Sequence, residues 1–248
     1  MKELFSKAND KIKLLLVVLL IGGLWGLLEA TLGTLLHLQP FESMGMFMGS
    51  SVIMIPIAYS LLTIAWKKTG KYRAMMYCGF VAATIKLTLL ILPFFWTRTQ
   101  SVINPAISIV LESLCMAAAC YVIKPNRALS TKMFFAIFIA DFAWRVAFVG
   151  LQGIECSLFN MTSKSFYISG GLIIWDVEYF YSFAFLLNFI SLAYCAIIGS
   201  IAYGVNYALV KKNVKIPTLK IDNIVFNPLF VSAVVALAIG STILLELI

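Results

Sequence analysis

The chain has 248 residues, of which 62% are hydrophobic and only 12% are charged, and its formal net charge is +8. A soluble domain carries about twice that charged fraction and far less apolar content, so the composition excludes an ordinary soluble protein. It indicates a polytopic membrane protein. No basic cluster is interleaved with aromatic residues in the manner of a nucleic-acid-binding surface, so we expect no nucleic-acid partner.

Apolar windows of about 20 residues predict seven membrane-spanning helices. In chain order they cover residues 13–36, 46–66, 74–96, 103–123, 133–152, 178–210 and 225–247. The sixth window is longer than the hydrocarbon core, and we expect it to tilt, to protrude or to break near Gly199 or Gly204. The predicted fold is an all-α membrane helix bundle that forms one domain over residues 1–248.

The distribution of basic residues predicts the orientation of this bundle. Fifteen of the 19 Lys and Arg residues fall in the amino-terminal tail or in the loops after the second, fourth and sixth spans. Those four segments lie on one side of the membrane, and the positive-inside rule places that side in the cytoplasm. The amino terminus is therefore predicted to lie inside and the carboxyl terminus outside.

The first span combines small residues with an acid at membrane depth. Gly22, Gly26 and Ala30 follow one another at four-residue spacing, which lets another helix backbone approach closely. Glu29 lies beside them in the middle of an apolar run. Because a carboxylate at that depth is costly, it normally faces a partner or a wet cavity, and we take it as a candidate functional residue.

Four further ionisable residues lie inside predicted spans, namely Lys86, Glu112, Asp141 and Arg145. Counted at about 1.5 Å per helical residue, these four and Glu29 fall in one layer, about 10 to 15 Å below the outer boundary. They predict a polar ligand-binding pocket that opens to the outside. In it Lys86 and Arg145 would hold an anionic group, and Glu29 or Glu112 a cationic or hydrogen-bonding one.

The same five residues admit a purely structural interpretation. Asp141 and Arg145 are four apart on one helix face and would neutralise each other, and Lys86 would pair with Glu112 or Glu29. Three acids and two bases nevertheless leave one negative charge over. A proton bound at Glu29 or Glu112 would neutralise that excess negative charge.

The remaining signals bear on the mouth of the pocket and on catalysis. His37 is the only histidine and lies near the outer interface, where it would line the pocket mouth or face solvent. One histidine excludes a bis-histidine haem, so we predict no metal site and no cofactor. The long, mostly apolar segment 153–175 is a candidate lid. Motifs of nucleophilic or phosphate chemistry are absent, and we assign no catalytic residue.

Three segments within residues 15–125 resemble the substrate-binding S components of energy-coupling factor (ECF) transporters. They are WGLLEATLGTLLHL in the first span, AATIKL in the third, and NPAISIVLESL in the fourth, together with an outer loop that contains a proline. The resemblance implies a bacterial protein that captures a vitamin, a metal or a cofactor precursor. It also implies two ATPases and a membrane coupling subunit as partners, with Gly22, Gly26 and Ala30 docking onto that subunit. The seventh span is additional to the usual six.

We therefore expect a multi-pass protein of a bacterial cytoplasmic membrane. Surrounded by membrane lipids, it would bind and take up a small polar or charged molecule of the vitamin or cofactor-precursor class. One alternative is a membrane enzyme acting on a lipid or isoprenoid substrate, with an intramembrane acid as general base. Another is a non-catalytic subunit whose charges pair across the subunit boundaries of a larger complex.

Overall fold

The computed structural model describes residues 2–36, 50–92, 99–158, 180–211 and 227–245. Within these ranges the chain is helical apart from short connections, and they contain no strand. The all-α prediction is confirmed. Apolar side chains on these helices meet inside the bundle, and its core contains large buried residues such as Trp25, Ile55 and Met75.

Seven long helices make up this part of the chain, one for each predicted span. Helix α1 is Lys2–Leu28 and continues as a π-helical segment, Glu29–Gly33, and a last turn, Thr34–Leu36; α2 is Ser50–Thr69; α3 is Arg73–Leu87, followed by a 3₁₀ turn, Thr88–Ile91; α4 is Thr99–Ile123; α5 is Thr131–Leu158; α6 begins with a π-helical segment, Ser182–Leu186, and continues over Leu187–Lys211; α7 is Pro228–Leu245.

Six of these helices are long and apolar enough to cross a membrane, so the chain is built as a multi-pass membrane protein. The six stretches are Asp10–Gly33, Arg73–Ile91, Ser101–Ile123, Thr131–Ile154, Ser182–Val205 and Pro228–Leu245. Helix α2 is not among these six stretches. It nevertheless lies deep in the bundle, where Ala58 and Leu62 are fully buried.

Six helices, including α2, form a closed ring. Helices α1, α2, α6, α5, α4 and α3 contact one another in that order, and α3 returns to α1 to complete the ring. Helix α2 also reaches α3 and α4 across the ring. The seventh helix packs outside it, mainly against α1. Polar side chains on α1 to α6 can therefore meet inside one bundle.

Glycines allow α1, α3 and α4 to approach closely. A Cβ atom at Gly22 would lie 2.8 Å from the carbonyl oxygen of Cys78, and one at Gly79 would lie 3.1 Å from that of Ile109. The Cβ at Gly79 would also collide with the side chain of Ser113. The backbones meet at distances that only glycine permits, so the predicted role of small residues in close helix packing is realised within the chain.

Helix α6 is continuous through Gly199 and Gly204, so of the three predicted alternatives for this span, tilting, protruding or breaking, the break near either glycine does not occur. A break would leave backbone groups without hydrogen bonds, which is costly in an apolar environment. The irregularity lies instead at the π-helical segment Ser182–Leu186. Such segments are rare and are frequently found at functional sites.

Candidate functional site

An ion pair lies at the centre of α5. The Nε atom of Arg145 donates to Oδ1 of Asp141 at 3.1 Å, and both residues are at most 1% exposed. The indole nitrogen of Trp144 donates to the same oxygen at 2.7 Å. The pairing that the four-residue spacing suggested is therefore present, and it fixes one oxygen of the Asp141 carboxylate.

Arg145 also joins α5 to α6. Its Nη1 donates to the carbonyl oxygen of Phe183 at 3.3 Å, and its Nη2 donates to the hydroxyl oxygen of Ser191 at 3.0 Å. The guanidinium carbon lies 4.9 Å and 5.1 Å from the ring centroids of Trp144 and Phe183. Phe183 belongs to the π-helical segment of α6. All three guanidinium nitrogens thus donate hydrogen bonds within the protein, and Arg145 links α5 to α6.

Glu112 enters the same region from α4. It is 7% exposed, and its charge interacts with those of Glu29, Asp141 and Arg145. Two of these three neighbours are acids, so Glu112 lies in a region where acidic side chains outnumber basic ones. Burial of a carboxylate in such surroundings is costly unless a proton or a cation compensates it.

Tyr59 brings a hydroxyl group from α2 to the same place. The residue is 1% exposed, and its hydroxyl lies within electrostatic range of Glu112, Asp141 and Arg145. Neither the Tyr59 hydroxyl nor Oδ2 of Asp141 has a hydrogen-bond partner among the described residues. The Ser191 hydroxyl, which is also near Asp141, donates to the Leu187 carbonyl at 2.7 Å instead.

Glu29 is held in place by a hydrogen bond within its own helix. It is the first residue of the π-helical segment of α1, and the indole nitrogen of Trp25 donates to its Oε1 at 3.2 Å. Gly33 makes room for the carboxylate, because a Cβ there would lie 3.2 Å from Oε2. Lys86, half-buried on α3, interacts with the charge of Glu29.

The five predicted residues are thus brought together in one set, which we call the buried charge cluster: Glu29, Lys86, Glu112, Asp141 and Arg145. Four helices supply them. The cluster contains three acids and two bases, and therefore carries a formal excess of one negative charge when all five are ionised.

Several buried, uncharged polar residues were not identified from the sequence. Besides Tyr59, they include Gln152 and Asn188, both buried, whose side-chain oxygens have no partner in the described part of the chain. Gln152 lies seven residues after Arg145 and shares its helix face, a spacing that would have revealed it. Asn188 lies three residues before Ser191 in the same way. For Tyr59 no such signal exists, because no charged residue marks a face of α2.

The predicted docking residues face inward. A Cβ at Gly26 would lie 2.9 Å from the side chain of Ile85 on α3, Gly22 meets the same helix, and Ala30 is buried. Their close contacts are thus made within this chain, and docking onto a separate subunit stays a prediction. His37 lies outside the described residues, as does most of the candidate lid, of which only residues 153–158 are described, at the end of α5.

Comparisons with known proteins give no match. No family model matches the chain, and neither a curated protein nor a solved structure shows significant similarity to it. The resemblance to S components of ECF transporters therefore stays a prediction. Within residues 2–36, 50–92, 99–158, 180–211 and 227–245, no group of three or more His, Cys, Asp or Glu side chains is placed to hold a metal ion.

Proposed function

We propose that this protein binds a small polar or charged molecule at the buried charge cluster and takes part in its uptake across the membrane. The observation that carries the proposal is the convergence of five ionisable side chains from four helices inside an apolar bundle. Charges at membrane depth are costly and rare, and by default they indicate a substrate or ion pathway.

The structural interpretation accounts for only part of the cluster. Asp141 and Arg145 form an ion pair within α5, and Arg145 also links α5 to α6 by a hydrogen bond to Ser191. These contacts have a structural role. Glu112 has no such explanation, because the charges around it are mostly negative. The unpaired Tyr59 hydroxyl and Asp141 Oδ2 point the same way, since buried polar groups in proteins nearly always have partners. A bound polar molecule would supply them.

The resemblance of the first, third and fourth spans to S components supports a more specific form of the proposal. The protein would be the substrate-capturing component of an ECF-type uptake system in a bacterial cytoplasmic membrane. A coupling subunit and two ATPases would be its partners, and a vitamin or cofactor precursor its substrate. The cluster in this form would receive the substrate from outside.

Purification from the native host in a mild detergent tests this proposal. Mass spectrometry of the eluate should recover a pair of ATPases, a membrane coupling subunit and one recurrent small molecule. Recovery of the small molecule without the ATPases would contradict the ECF form alone. Recovery of neither would contradict uptake.

Substitutions in the buried charge cluster test whether the small molecule binds there. Glu29→Gln, Lys86→Met and Glu112→Gln should each reduce the amount of the small molecule that stays with the protein. Asp10→Asn, which removes an acid at an exposed position of α1, is the matched control. If all three cluster variants retain as much of the molecule as the control, the binding site lies elsewhere.

A further inference from the structure

We propose that the bound molecule carries a cationic nitrogen with N–H donors, such as a primary or secondary ammonium group. The group would be held by Tyr59 of α2, Glu112 of α4 and Asp141 of α5. This inference rests on the proposed function and deepens it by naming the chemistry of the substrate.

The acids and the bases of the cluster differ in how far their charges are already engaged. Arg145 directs all three of its nitrogens at protein acceptors, so three of its five N–H donors are already engaged. Lys86 acts on the carboxylate of Glu29. The bases of the cluster are thus engaged with its other members, whereas Glu112 lies among further acids. A positive group is what this part of the cluster would attract.

The unpaired polar groups of the cluster lack a hydrogen-bond donor. Oδ2 of Asp141 has no partner in the described part of the chain, and an ionised carboxylate only accepts hydrogen bonds. The Tyr59 hydroxyl, also unpaired, can accept as well as donate. The missing group is therefore a donor. An ammonium group offers two or three N–H donors, and charge-assisted bonds to carboxylates are the strong ones.

Two other occupants would neutralise the same excess charge. A metal ion is disfavoured, because the described residues contain no ligand group suited to one. A proton shared between Glu112 and a neighbouring acid would neutralise the excess negative charge. It would not make the protein respond differently to different ammonium compounds. The response to different cations therefore separates the proposed occupant from a proton.

The unfolding midpoint of the purified full-length protein, followed by tryptophan fluorescence in detergent, provides the readout. Methylammonium chloride, tetramethylammonium chloride and sodium chloride are compared at equal ionic strength. Methylammonium should raise the midpoint in a saturable manner, because a ligand that binds only the folded state stabilises it. Tetramethylammonium carries the same charge without an N–H donor, and neither it nor sodium should raise the midpoint. Equal effects of the three salts would overturn the inference, as would a midpoint that responds to pH but not to methylammonium.

Two variants locate the effect. Glu112→Gln and Tyr59→Phe should each raise the methylammonium concentration needed for half of the effect by about tenfold or more, as expected for loss of a hydrogen bond to a charged group. The matched controls are Asp10→Asn and Tyr203→Phe, which remove the same chemical groups at exposed positions. A methylammonium response of wild-type strength in Glu112→Gln would overturn the inference.

The two proposals fail in different ways. A metabolite retained from the native host that lacks a cationic N–H group would overturn the inference and leave uptake intact. A saturable methylammonium response in a protein that retains no metabolite and no partner would support the cation site and contradict uptake.

Discussion

At the scale of single residues, the ion pair of Asp141 and Arg145 is the most completely bonded part of the cluster. Arg145 donates from all three nitrogens, whereas Asp141 receives on one oxygen only. Removing one partner of a fully buried pair leaves the other charge without compensation, which costs more than the pair contributes.

Arg145→Met should therefore lower the free energy of unfolding by about 3 to 5 kcal/mol. The double variant Asp141→Asn/Arg145→Met should lose less than Arg145→Met alone, because it removes the uncompensated charge. Denaturant titration of the purified protein measures both. A double variant less stable than the single one would show that the Asp141 charge is compensated by something other than Arg145.

Gly33→Ala tests the position of the Glu29 carboxylate. The added methyl group would lie 3.2 Å from Oε2, so the carboxylate would have to move by a few tenths of an ångström. We expect retention of the bound molecule to fall roughly tenfold, equivalent to about 1.4 kcal/mol of binding free energy. Gly150→Ala, where nothing lies within 4 Å of the added atom, is the control. Equal retention in the two variants would show that Glu29 does not contact the molecule.

The charged members of the cluster were predictable, and several of their uncharged neighbours were not. Each intramembrane charge is conspicuous in an apolar run, and counting residues from the span ends placed all five in one layer. Tyr59 is an ordinary residue of such a run. Its role depends on α2 reaching α3 and α4 across the ring of helices, which is a property of the packing and leaves no trace in the spacing of α2 itself.

At the scale of elements, hydropathy predicted all seven helices and missed their irregularities. The π-helical segments Glu29–Gly33 and Ser182–Leu186 place Glu29 and the carbonyl group of Phe183 in the cluster region. Such π-helical turns are rare, single-turn interruptions of an α-helix, and the apolar windows that predicted the helices do not register them.

Gly22→Ala tests the close approach of α1 and α3. The added methyl group would lie 2.8 Å from the Cys78 carbonyl oxygen, and the two backbones would have to separate. Such overpacking should lower the free energy of unfolding by about 1 to 3 kcal/mol. Gly204→Ala adds the same atom in open space and should leave stability unchanged or raise it by up to about 1 kcal/mol. Thermal unfolding of the Gly22→Ala and Gly204→Ala variants measures the difference in stability. Equal stabilities would contradict the packing described for Gly22.

At the scale of the whole molecule, the number of crossings fixes the relation of the two chain ends. Seven crossings put them on opposite sides of the membrane, whereas six put them on the same side. The basic residues predict an inside amino terminus and an outside carboxyl terminus. This requires α2 to cross, although it is not among the six stretches that are suited to do so by length and composition.

Reporter fusions determine the topology. Green fluorescent protein fused to the amino terminus should fluoresce, and alkaline phosphatase fused to the carboxyl terminus should be active, because each reporter functions on one side of the membrane only. A carboxyl-terminal green fluorescent protein fusion that fluoresces would contradict seven crossings. It would indicate that α2, or another helix, enters the bundle without traversing it.

The central claim is that the buried charge cluster holds a small molecule. Its most direct test is to purify the wild-type protein and Glu112→Gln in parallel from the native host and to quantify by mass spectrometry the small molecules that each retains. We predict one metabolite in near-stoichiometric amount with the wild-type protein and at least about tenfold less with Glu112→Gln, as expected for loss of a charged contact. The same metabolites in the same amounts with both proteins would contradict the claim.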